Sequence, residues 1–159
     1  MNGTSSTTFS PNTTTTRGMI VTVLYRQAGS QTVSGNCPFN DVKSGMYYEA
    51  PIAWAAANGI VNGYSADKFG PDNPITREQM AAILYRYAQY KGIDVSAKAD
   101  LNKYNDAAKV SDWAKDAIAW TVQEGIFNGV GDGLLSPETQ ATRAQIAAIL
   151  HRFCENIAK

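Results

Sequence analysis

The sequence predicts a mainly α-helical protein, in which three copies of one segment surround a core of three helices. Each copy contains Asn-Gly, an aromatic residue or leucine, a proline and Thr-Arg, and the glycine precedes the arginine by 14 positions without a gap. Apolar residues with helical spacing follow each Thr-Arg pair. Such matches indicate internal repeats. Three similar helices bury their narrow apolar stripes most simply against each other, which predicts approximate threefold symmetry within one chain.

The three copies differ in how clearly they start a helix. They run from Asn2-Gly3 to Thr16-Arg17, from Asn62-Gly63 to Thr76-Arg77 and from Asn128-Gly129 to Thr142-Arg143. Asn-Gly predicts a turn, because both residues tolerate a positive φ. Thr76 and Thr142 have glutamine three residues on, which predicts a capping box at each helix start. Gly18 and Met19 break that pattern in the first copy.

Two shorter helices are predicted before the second and third loops, at roughly 47–58 and 111–124. The glycine after each, Gly59 or Gly125, is a common helix stop. Ser111 is the predicted N-cap of the later one. The remaining segments, rich in glycine, proline and polar residues, are predicted to be loops, with only short extended pieces beside the Asn-Gly turns.

Two tryptophans occupy matching places in these shorter helices. Trp54 and Trp120 follow Ile52 and Ile118 of the apolar stripe by two residues, which is about 200° around a helix. We therefore expect both indoles to point away from the buried face and to offer a platform for a sugar ring or a partner. The alternative is that each indole packs under the loop that follows it.

An arginine stands at the first helical position of every copy: Arg17, Arg77 and Arg143. That helix end carries partial positive charge, so a cation there costs a few tenths to about 1 kcal/mol. A guanidinium beside unpaired backbone N–H groups predicts an anion-binding site. The alternative is a local salt bridge, for example from Arg77 to Asp72 or Glu78. Repetition in all three copies favours binding.

Composition excludes several function classes. The 159 residues are 44% hydrophobic, enough for one modest domain, and 14 basic residues balance 14 acidic ones. This balance predicts no binding to nucleic acid. No apolar run approaches the ~18 residues that cross a bilayer, so no membrane insertion is expected. The polar start, residues 1–11, predicts no signal peptide here: either an export signal lies upstream, or the protein is cytosolic.

Residues for catalysis or metal binding are scarce. The single histidine, His151, lies three residues before Cys154 and takes the place of Tyr25 and Tyr85 in the other copies. We therefore predict that the chain is not an enzyme and has neither a metal site nor a cofactor. Cys37 and Cys154 could form a disulfide if the three helices run parallel, or could remain two thiols.

Several motifs together resemble the S-layer homology repeat. In the second copy they are Phe39-Asn40-Asp41-Val42, Ile52-Ala53-Trp54-Ala55, Asn58-Gly59-Ile60-Val61-Asn62-Gly63, Phe69-Gly70-Pro71 and Ile75-Thr76-Arg77-Glu78-Gln79. In the third they are Asn105-Asp106, Trp120, Glu124-Gly125-Ile126, Asp132-Gly133, Pro137 and Thr142-Arg143-Ala144-Gln145. The resemblance gives complete repeats at residues 38–92 and 104–158 and the second half of another at 1–30, all within one domain.

The resemblance implies a pseudo-threefold spindle around a three-helix bundle. It also implies an exported protein, held non-covalently at the cell wall of Gram-positive bacteria by an anionic, often pyruvylated, secondary wall polysaccharide. The arginine of the family's Thr-Arg-Ala-Glu motif binds the polymer, and Arg17, Arg77 and Arg143 match it. Its final glutamate is replaced, since the copies read Thr-Arg-Gly-Met, Thr-Arg-Glu-Gln and Thr-Arg-Ala-Gln.

The residues predicted to face the polymer share a place in or beside the loops: Arg17, Arg77, Arg143, Thr76, Thr142, Trp54, Trp120, Asn62, Gly63, Asn128 and Gly129. The alternative function is a protein-interaction or self-assembly module, a homo-oligomer in which another chain completes the partial first repeat.

Overall fold

A computed structural model describes residue 1 and residues 3–157. The first predicted turn residue, Asn2, and the end of the third predicted repeat, Ala158 and Lys159, lie outside the described residues. Within the described part the chain has α-helices and short 3₁₀ turns but no strand, which confirms the mainly α prediction. The helices are α1 (Arg17–Gln27), α2 (Glu49–Ala57), α3 (Arg77–Tyr90), α4 (Lys115–Gln123) and α5 (Arg143–Asn156), and the 3₁₀ turns are Ala107–Lys109 and Asp112–Ala114.

The contacts divide the chain into two compact units. The small unit is Thr15–Pro74, and the large unit combines Met1–Thr14 with Ile75–Lys159. In the small unit α1 packs against α2, and in the large unit α3 packs against α4. The packing of the three long helices into one bundle stays a prediction.

The long helices begin where the threonines predict. The Thr76 hydroxyl accepts a hydrogen bond from the Gln79 amide, and the Thr76 amide donates one to the Gln79 side-chain oxygen. Thr142 and Gln145 form the same two bonds. These are the predicted capping boxes. Thr16 accepts only the forward bond, from the Met19 amide, as the Gly18-Met19 departure predicts. The start of α1 is therefore capped by the Thr16 side chain without the reciprocal bond of a capping box.

The predicted apolar stripes are buried. In α3 they are Met80, Ile83, Leu84 and Tyr87, and in α5 they are Ile146, Ile149, Leu150 and Phe153, all at most 8% exposed. In α1 Ile20 and Leu24 are buried, while Val23 is half-buried. Burial of such side chains stabilises each by about 1.5–3 kcal/mol relative to exposure, so the stripes supply much of the core.

The shorter helices are confirmed, with one correction at a cap. Each ends before a glycine with a φ of +67°, Gly59 or Gly125, the left-handed stop that glycine favours. Ser111 precedes a 3₁₀ turn rather than α4 itself, and its side chain does not cap that turn. Its hydroxyl instead donates to the Glu78 carboxylate over 2.9 Å. The predicted N-cap role is therefore wrong.

The extended structure is limited to isolated bridges. Ser65 and Lys68 close the turn after Asn62-Gly63, which is the short extended piece predicted there. The other bridges pair a residue at or beside a helix start with a residue of another copy's loop: Thr16 with Pro74, Thr76 with Gln140, and Thr14 with Thr142. Each of these lies within one unit.

Candidate functional site

The start of each long helix is occupied by the loop of another copy. In α3 the Arg77 amide donates to Thr139 O (3.0 Å) and the Glu78 amide to Pro137 O (2.9 Å). The matching pairs are Arg17 with Asn73, Gly18 with Pro71, Arg143 with Thr13 and Ala144 with Pro11. The amide of the third residue in each of these helices donates to the hydroxyl of the capping threonine. The predicted row of unpaired N–H groups is therefore wrong, and the helix ends themselves do not form anion sites.

The three arginine side chains hold the same loops. Arg77 Nε donates to Leu135 O (2.8 Å) and its Nη2 to Asn128 O (3.0 Å). Arg17 does the same to Phe69 O (2.9 Å) and Asn62 O (3.2 Å), and Arg143 Nε donates to Phe9 O (2.8 Å). All three residues are at most 6% exposed. Repetition of this arginine thus has a structural cause, the fixing of another copy's loop, which was not predicted from the sequence.

These bonds connect the copies in cyclic order. The arginine of the first copy holds the second loop, that of the second copy holds the third loop, and that of the third copy holds the first loop. The carbonyl that each Nε contacts belongs to the aromatic residue or leucine of the repeated segment. Each helix start is therefore built against a loop distant in sequence.

An aspartate fastens the second and third loops from their other side. Asp41 accepts the amides of Phe69 (2.9 Å) and Gly70 (2.7 Å), and Asp106 accepts those of Leu135 and Ser136, both at 2.8 Å. The loop residue that gives its carbonyl to the arginine thus gives its amide to the aspartate. No role was predicted for these aspartates, although the recurring Asn-Asp pairs, Asn40-Asp41 and Asn105-Asp106, were a signal for one.

Arg77 retains hydrogen-bonding capacity beyond the loop. A guanidinium offers five N–H donors on three nitrogens, and only Nε and Nη2 of Arg77 have acceptors among the described residues. No ion pair within the described part of the chain involves Arg77, so the alternative of a local salt bridge is not supported. Nη1 is therefore available to a ligand.

A cleft of about 210 Å³ opens beside Arg77 in the large unit. It is lined by two arginines, two amide side chains and a few small or apolar residues, with no acidic one: Arg77, Asn128, Gly129, Val130, Gln145, Ala148, Ile149 and Arg152. Burial lowers the pKa of Arg77, and repulsion by Arg152 lowers that pKa further, while Asp106 raises it. The cleft is therefore positively charged and suited to an anion.

The loop residues predicted to face a ligand divide into exposed and structural ones. Asn62 and Asn128 are exposed, whereas a side chain added to Gly63 would collide with the backbone oxygens of Lys68 and Ser65. A side chain on Gly129 would lie 2.9 Å from Leu134 O. These glycines are thus required by the closeness of the chain, while the asparagines remain candidates for contact.

Both tryptophans are buried, contrary to the prediction. Trp54 is 2% exposed and packs on Tyr25, and Trp120 is fully buried against Tyr85 and Phe153. The geometric reason is that α2 buries five consecutive residues, Pro51 to Ala55, and α4 buries Ala117 to Thr121. A helix that is buried around most of its circumference does not leave these two indoles on an open flank. Neither indole is a platform for a sugar ring.

An exposed ring lies beside Arg17 instead. Tyr64 is 55% exposed, and its ring centre is 4.6 Å from Arg17 Cζ, with the Phe69 ring 4.4 Å from that same atom. Cation–π contacts of this kind hold the guanidinium in place. In the third copy Val130, 45% exposed, occupies the position of Tyr64. The exposed aromatic ring beside the Arg17 guanidinium is therefore that of Tyr64, not that of Trp54.

Among the described residues, the cysteines and the histidine do not form a reactive group of side chains. Both cysteines are reduced, and exposed His151 lies 3.4 Å from Glu155. Within residues 1 and 3–157, no three histidine, cysteine or acidic side chains are grouped to hold a metal ion. Across the same residues, every helix is too short or too polar to span a bilayer.

Comparison with known proteins identifies similar sequences. The profile of the S-layer homology domain matches residues 38–81 and 103–147. An endoglucanase from Bacillus sp. (strain KSM-635) is 35% identical over 98% of this chain and 16% of its own length. The surface-layer 125 kDa protein of Lysinibacillus sphaericus is 32% identical over 94% of this chain and 12% of its own. The cellulosome-anchoring protein of Acetivibrio thermocellus is 33% identical over 63% of this chain and 22% of its own. The chain thus spans less than a quarter of these relatives.

Proposed function

The chain belongs to the S-layer homology domain family, and we propose that it anchors a longer protein to the bacterial cell wall by binding an anionic wall polysaccharide. Membership of this family places it at the cell surface. One relative is named a cellulosome-anchoring protein, which supports an anchoring role. The endoglucanase relative extends far beyond the matching region, so we assign no catalysis to this domain.

The observation that carries the proposal is the cleft beside Arg77. Its lining contains two cations and no carboxylate, and Arg77 Nη1 has no acceptor within the described residues. The other two guanidinium nitrogens are fixed by loop carbonyls, so the remaining N–H groups are held in one orientation. A fixed, partly desolvated guanidinium binds a carboxylate more strongly than a mobile surface lysine does.

The polymer that fits this site is acidic and rich in sugar hydroxyls. We propose that Arg77 contacts its carboxylate, as on a pyruvyl ketal, and that Asn128 and Gln145 contact neighbouring hydroxyls. Arg17 with Asn62, and Arg143, are assigned the same role in the other copies. Thr76 and Thr142 act through the helix starts that they cap, and Gly63 and Gly129 through the shape of the loops.

The test is sedimentation of the chain with purified cell walls of the organism that makes it. The variant Arg77→Ala/Arg143→Ala is expected to stay in the supernatant, because it loses two of the proposed anion contacts. Walls treated with mild acid to remove pyruvyl ketals are expected to bind the unaltered chain at least about 10-fold more weakly, since a charged hydrogen bond contributes about 1.5–3 kcal/mol.

The control removes two cations elsewhere in the large unit. Lys98 and Lys115 are exposed and form surface ion pairs, so Lys98→Ala/Lys115→Ala makes the same change in net charge. This variant should bind the walls normally. Because Arg77 and Arg143 also hold loops, cooperative melting is recorded for each variant, with Arg77→Lys/Arg143→Lys as a milder form. Undiminished sedimentation of a folded double arginine variant would reject the proposal. A chain that ignores walls but dimerises would favour the alternative, a self-assembly module.

A further inference from the structure

We propose that the Asn128-Gly129 pair is a site of spontaneous deamidation, at which the folded chain converts the Asn128 amide to a carboxylate beside Arg77. In an Asn-Gly pair the glycine nitrogen attacks the asparagine side chain, and glycine leaves room for this because it has no side chain of its own. The modification follows from the structure of the loop alone, while its effect on wall binding rests on the proposed function. Its support is a contrast between Asn-Gly pairs of the same chain.

The reaction needs only water. The Gly129 nitrogen, after losing its proton, attacks Asn128 Cγ. The bond from Cγ to Nδ2 breaks, and the departing nitrogen takes up a proton and leaves as ammonia. The product is a cyclic imide, and water then adds across one of its two C–N bonds to give aspartate or isoaspartate at position 128. Nothing is oxidised or reduced, and one carboxylate replaces one amide.

Neither reacting group of the Asn128-Gly129 pair is engaged by the protein. Across the described part of the chain, the Gly129 amide has no hydrogen-bond acceptor and the Asn128 side chain has no hydrogen-bond partner. Both residues are exposed, and Asn128 lines the open cleft beside Arg77. Cyclisation therefore breaks no hydrogen bond at either reacting group, and water reaches the imide that forms.

The Asn58-Gly59 pair consists of the same two residues, but both of its reacting groups are hydrogen-bonded at the end of α2. Asn58 Nδ2 donates to Trp54 O (2.8 Å), and the Gly59 amide donates to Ala56 O (3.1 Å). Both residues of this pair are exposed, so access of water does not distinguish it from Asn128-Gly129. Cyclisation at Asn58 has to break both bonds, which slows it.

Arg77 makes the Gly129 amide more acidic. Its Nη2 donates to Asn128 O over 3.0 Å, and that oxygen belongs to the peptide bond whose nitrogen is that of Gly129. When this nitrogen loses its proton, much of the negative charge lies on the same oxygen. A hydrogen bond from a buried cation stabilises that charge and so favours the reactive form. Among the described residues no donor contacts Asn58 O, so the pair in α2 lacks this activation.

The Asn62-Gly63 pair shares the activating contact but lies in a tighter loop. Arg17 Nη2 donates to Asn62 O (3.2 Å), and the Gly63 amide has no acceptor within residues 1 and 3–157. An atom added at Gly63 would collide with two backbone oxygens, whereas one at Gly129 meets a single backbone oxygen at 2.9 Å. Because the imide needs room to form, Asn62 is expected to react more slowly than Asn128.

Deamidation at position 128 brings a carboxylate to Arg77 by either route. In isoaspartate the former main-chain carbonyl of this residue, which accepts from Arg77 Nη2, becomes the free carboxylate. In aspartate the carboxylate is carried by the side chain that lines the cleft. This internal anion competes with the wall polymer for the same guanidinium. Attachment to the wall is therefore expected to weaken as the chain ages.

The experiment incubates the full chain in mildly alkaline buffer and follows deamidation at each site by peptide mass spectrometry. Asn128 is expected to lose its amide at least about 10-fold faster than Asn58, with Asn62 between them. The control is the same incubation in urea, where the hydrogen bonds of the fold are absent and the three sites should react at similar rates. An Asn128 amide that survives as long as that of Asn58 in the folded chain overturns the proposal.

Sedimentation with cell walls, before and after ageing, tests the consequence for binding. The aged chain should bind at least about 10-fold more weakly than the fresh chain. The variant Asn128→Gln should keep most of the binding that its own fresh form has, because glutamine forms the larger cyclic imide far more slowly. Full binding by a chain deamidated at position 128 overturns the competition at Arg77. A fresh chain that ignores the walls contradicts the proposed function instead, and the peptide map still decides the modification.

Discussion

The residue before the loop proline has the same unusual backbone conformation in every copy. Gly70 has a φ of 70°, and Ser10 and Ser136 have φ values of 55° and 50°. This left-handed conformation costs a residue with a side chain about 1–2 kcal/mol, whereas glycine adopts it freely. We therefore predict that Ser136→Gly raises the free energy of unfolding by about 1 kcal/mol, measured by urea denaturation.

The reverse change at the second copy is the control for Ser136→Gly. A side chain at Gly70 would lie 2.5 Å from Tyr64 Cε2 and 2.8 Å from Asn73 Nδ2. Gly70→Ser is therefore expected to destabilise the chain by more than Ser136→Gly stabilises it, because steric contact adds to the backbone cost. Equal stability of Ser136→Gly and the unaltered chain would show that this loop bears no backbone strain.

Single residues were predictable where their partners are near in sequence. The capping boxes of Thr76 and Thr142 involve a residue three positions on, and the stop glycines act on their own helices. The acceptors of Arg77 are more than 50 residues away, so no local sequence pattern predicts them. The anion site at Arg77 stays a proposal, and the reason first given for it, unpaired helix amides, is contradicted by the structure.

At the element scale, a buried carboxylate connects the start of α3 to the segment before α4. Glu78 is 6% exposed and accepts the Ser111 amide (3.0 Å) and the Ser111 hydroxyl (2.9 Å). Hydrogen bonds to a charged group each contribute about 1.5–3 kcal/mol when buried. We predict that Glu78→Ala lowers the free energy of unfolding by about 2–3 kcal/mol, as measured by chemical denaturation.

A matched change tests whether the loss belongs to this contact. Glu138 is exposed, and Glu138→Ala should alter stability by less than about 0.5 kcal/mol. Ser111→Ala removes only the hydroxyl bond and should cost less than Glu78→Ala. If Glu78→Ala and Glu138→Ala are equally stable, the carboxylate does not hold the two segments together.

The positions of the helices along the sequence were predictable, but which of their faces are buried was not always predictable. Apolar period and caps located α3 and α5 because those helices have one buried stripe and one polar face. The nine-residue helices α2 and α4 are buried around most of their circumference. In such a helix the spacing of apolar residues does not show which face is exposed, and Trp54 and Trp120 were therefore wrongly assigned to an open flank.

Across the whole chain, each long helix depends on a loop that belongs to another copy of the repeat. Each Thr-Arg helix start obtains its first hydrogen-bond acceptors from another copy's loop, and the second and third loops are also held by an aspartate. A repeat taken alone would leave buried amides and a guanidinium without acceptors, which costs about 1–3 kcal/mol for each group. The sequence shows the repeats, but their exchange of loops is a long-range property that only the structure reveals.

Stability at alkaline pH is the prediction that involves both units. Tyr48 in the small unit and Tyr87 in the large unit are each 1% exposed. Burial raises the pKa of both phenols, and Asp72 raises the pKa of Tyr48 further by its charge and by accepting the hydroxyl over 3.4 Å. A raised pKa means that the folded state keeps its proton where the unfolded chain has lost it. The stabilisation is complete below the ordinary tyrosine pKa of 10.0 and disappears as the pH rises through the folded-state values.

We therefore expect the free energy of unfolding to decline progressively above pH 10.0, in a guanidinium titration repeated across the alkaline range. In Tyr48→Phe/Tyr87→Phe that decline should be shallower, because neither replaced ring can ionise in the unfolded chain. The replacement also keeps the two rings in the core, so the comparison isolates the proton rather than the packing. Parallel declines in the variant and the unaltered chain would mean that other groups govern alkaline unfolding and that these phenols ionise alike in both states.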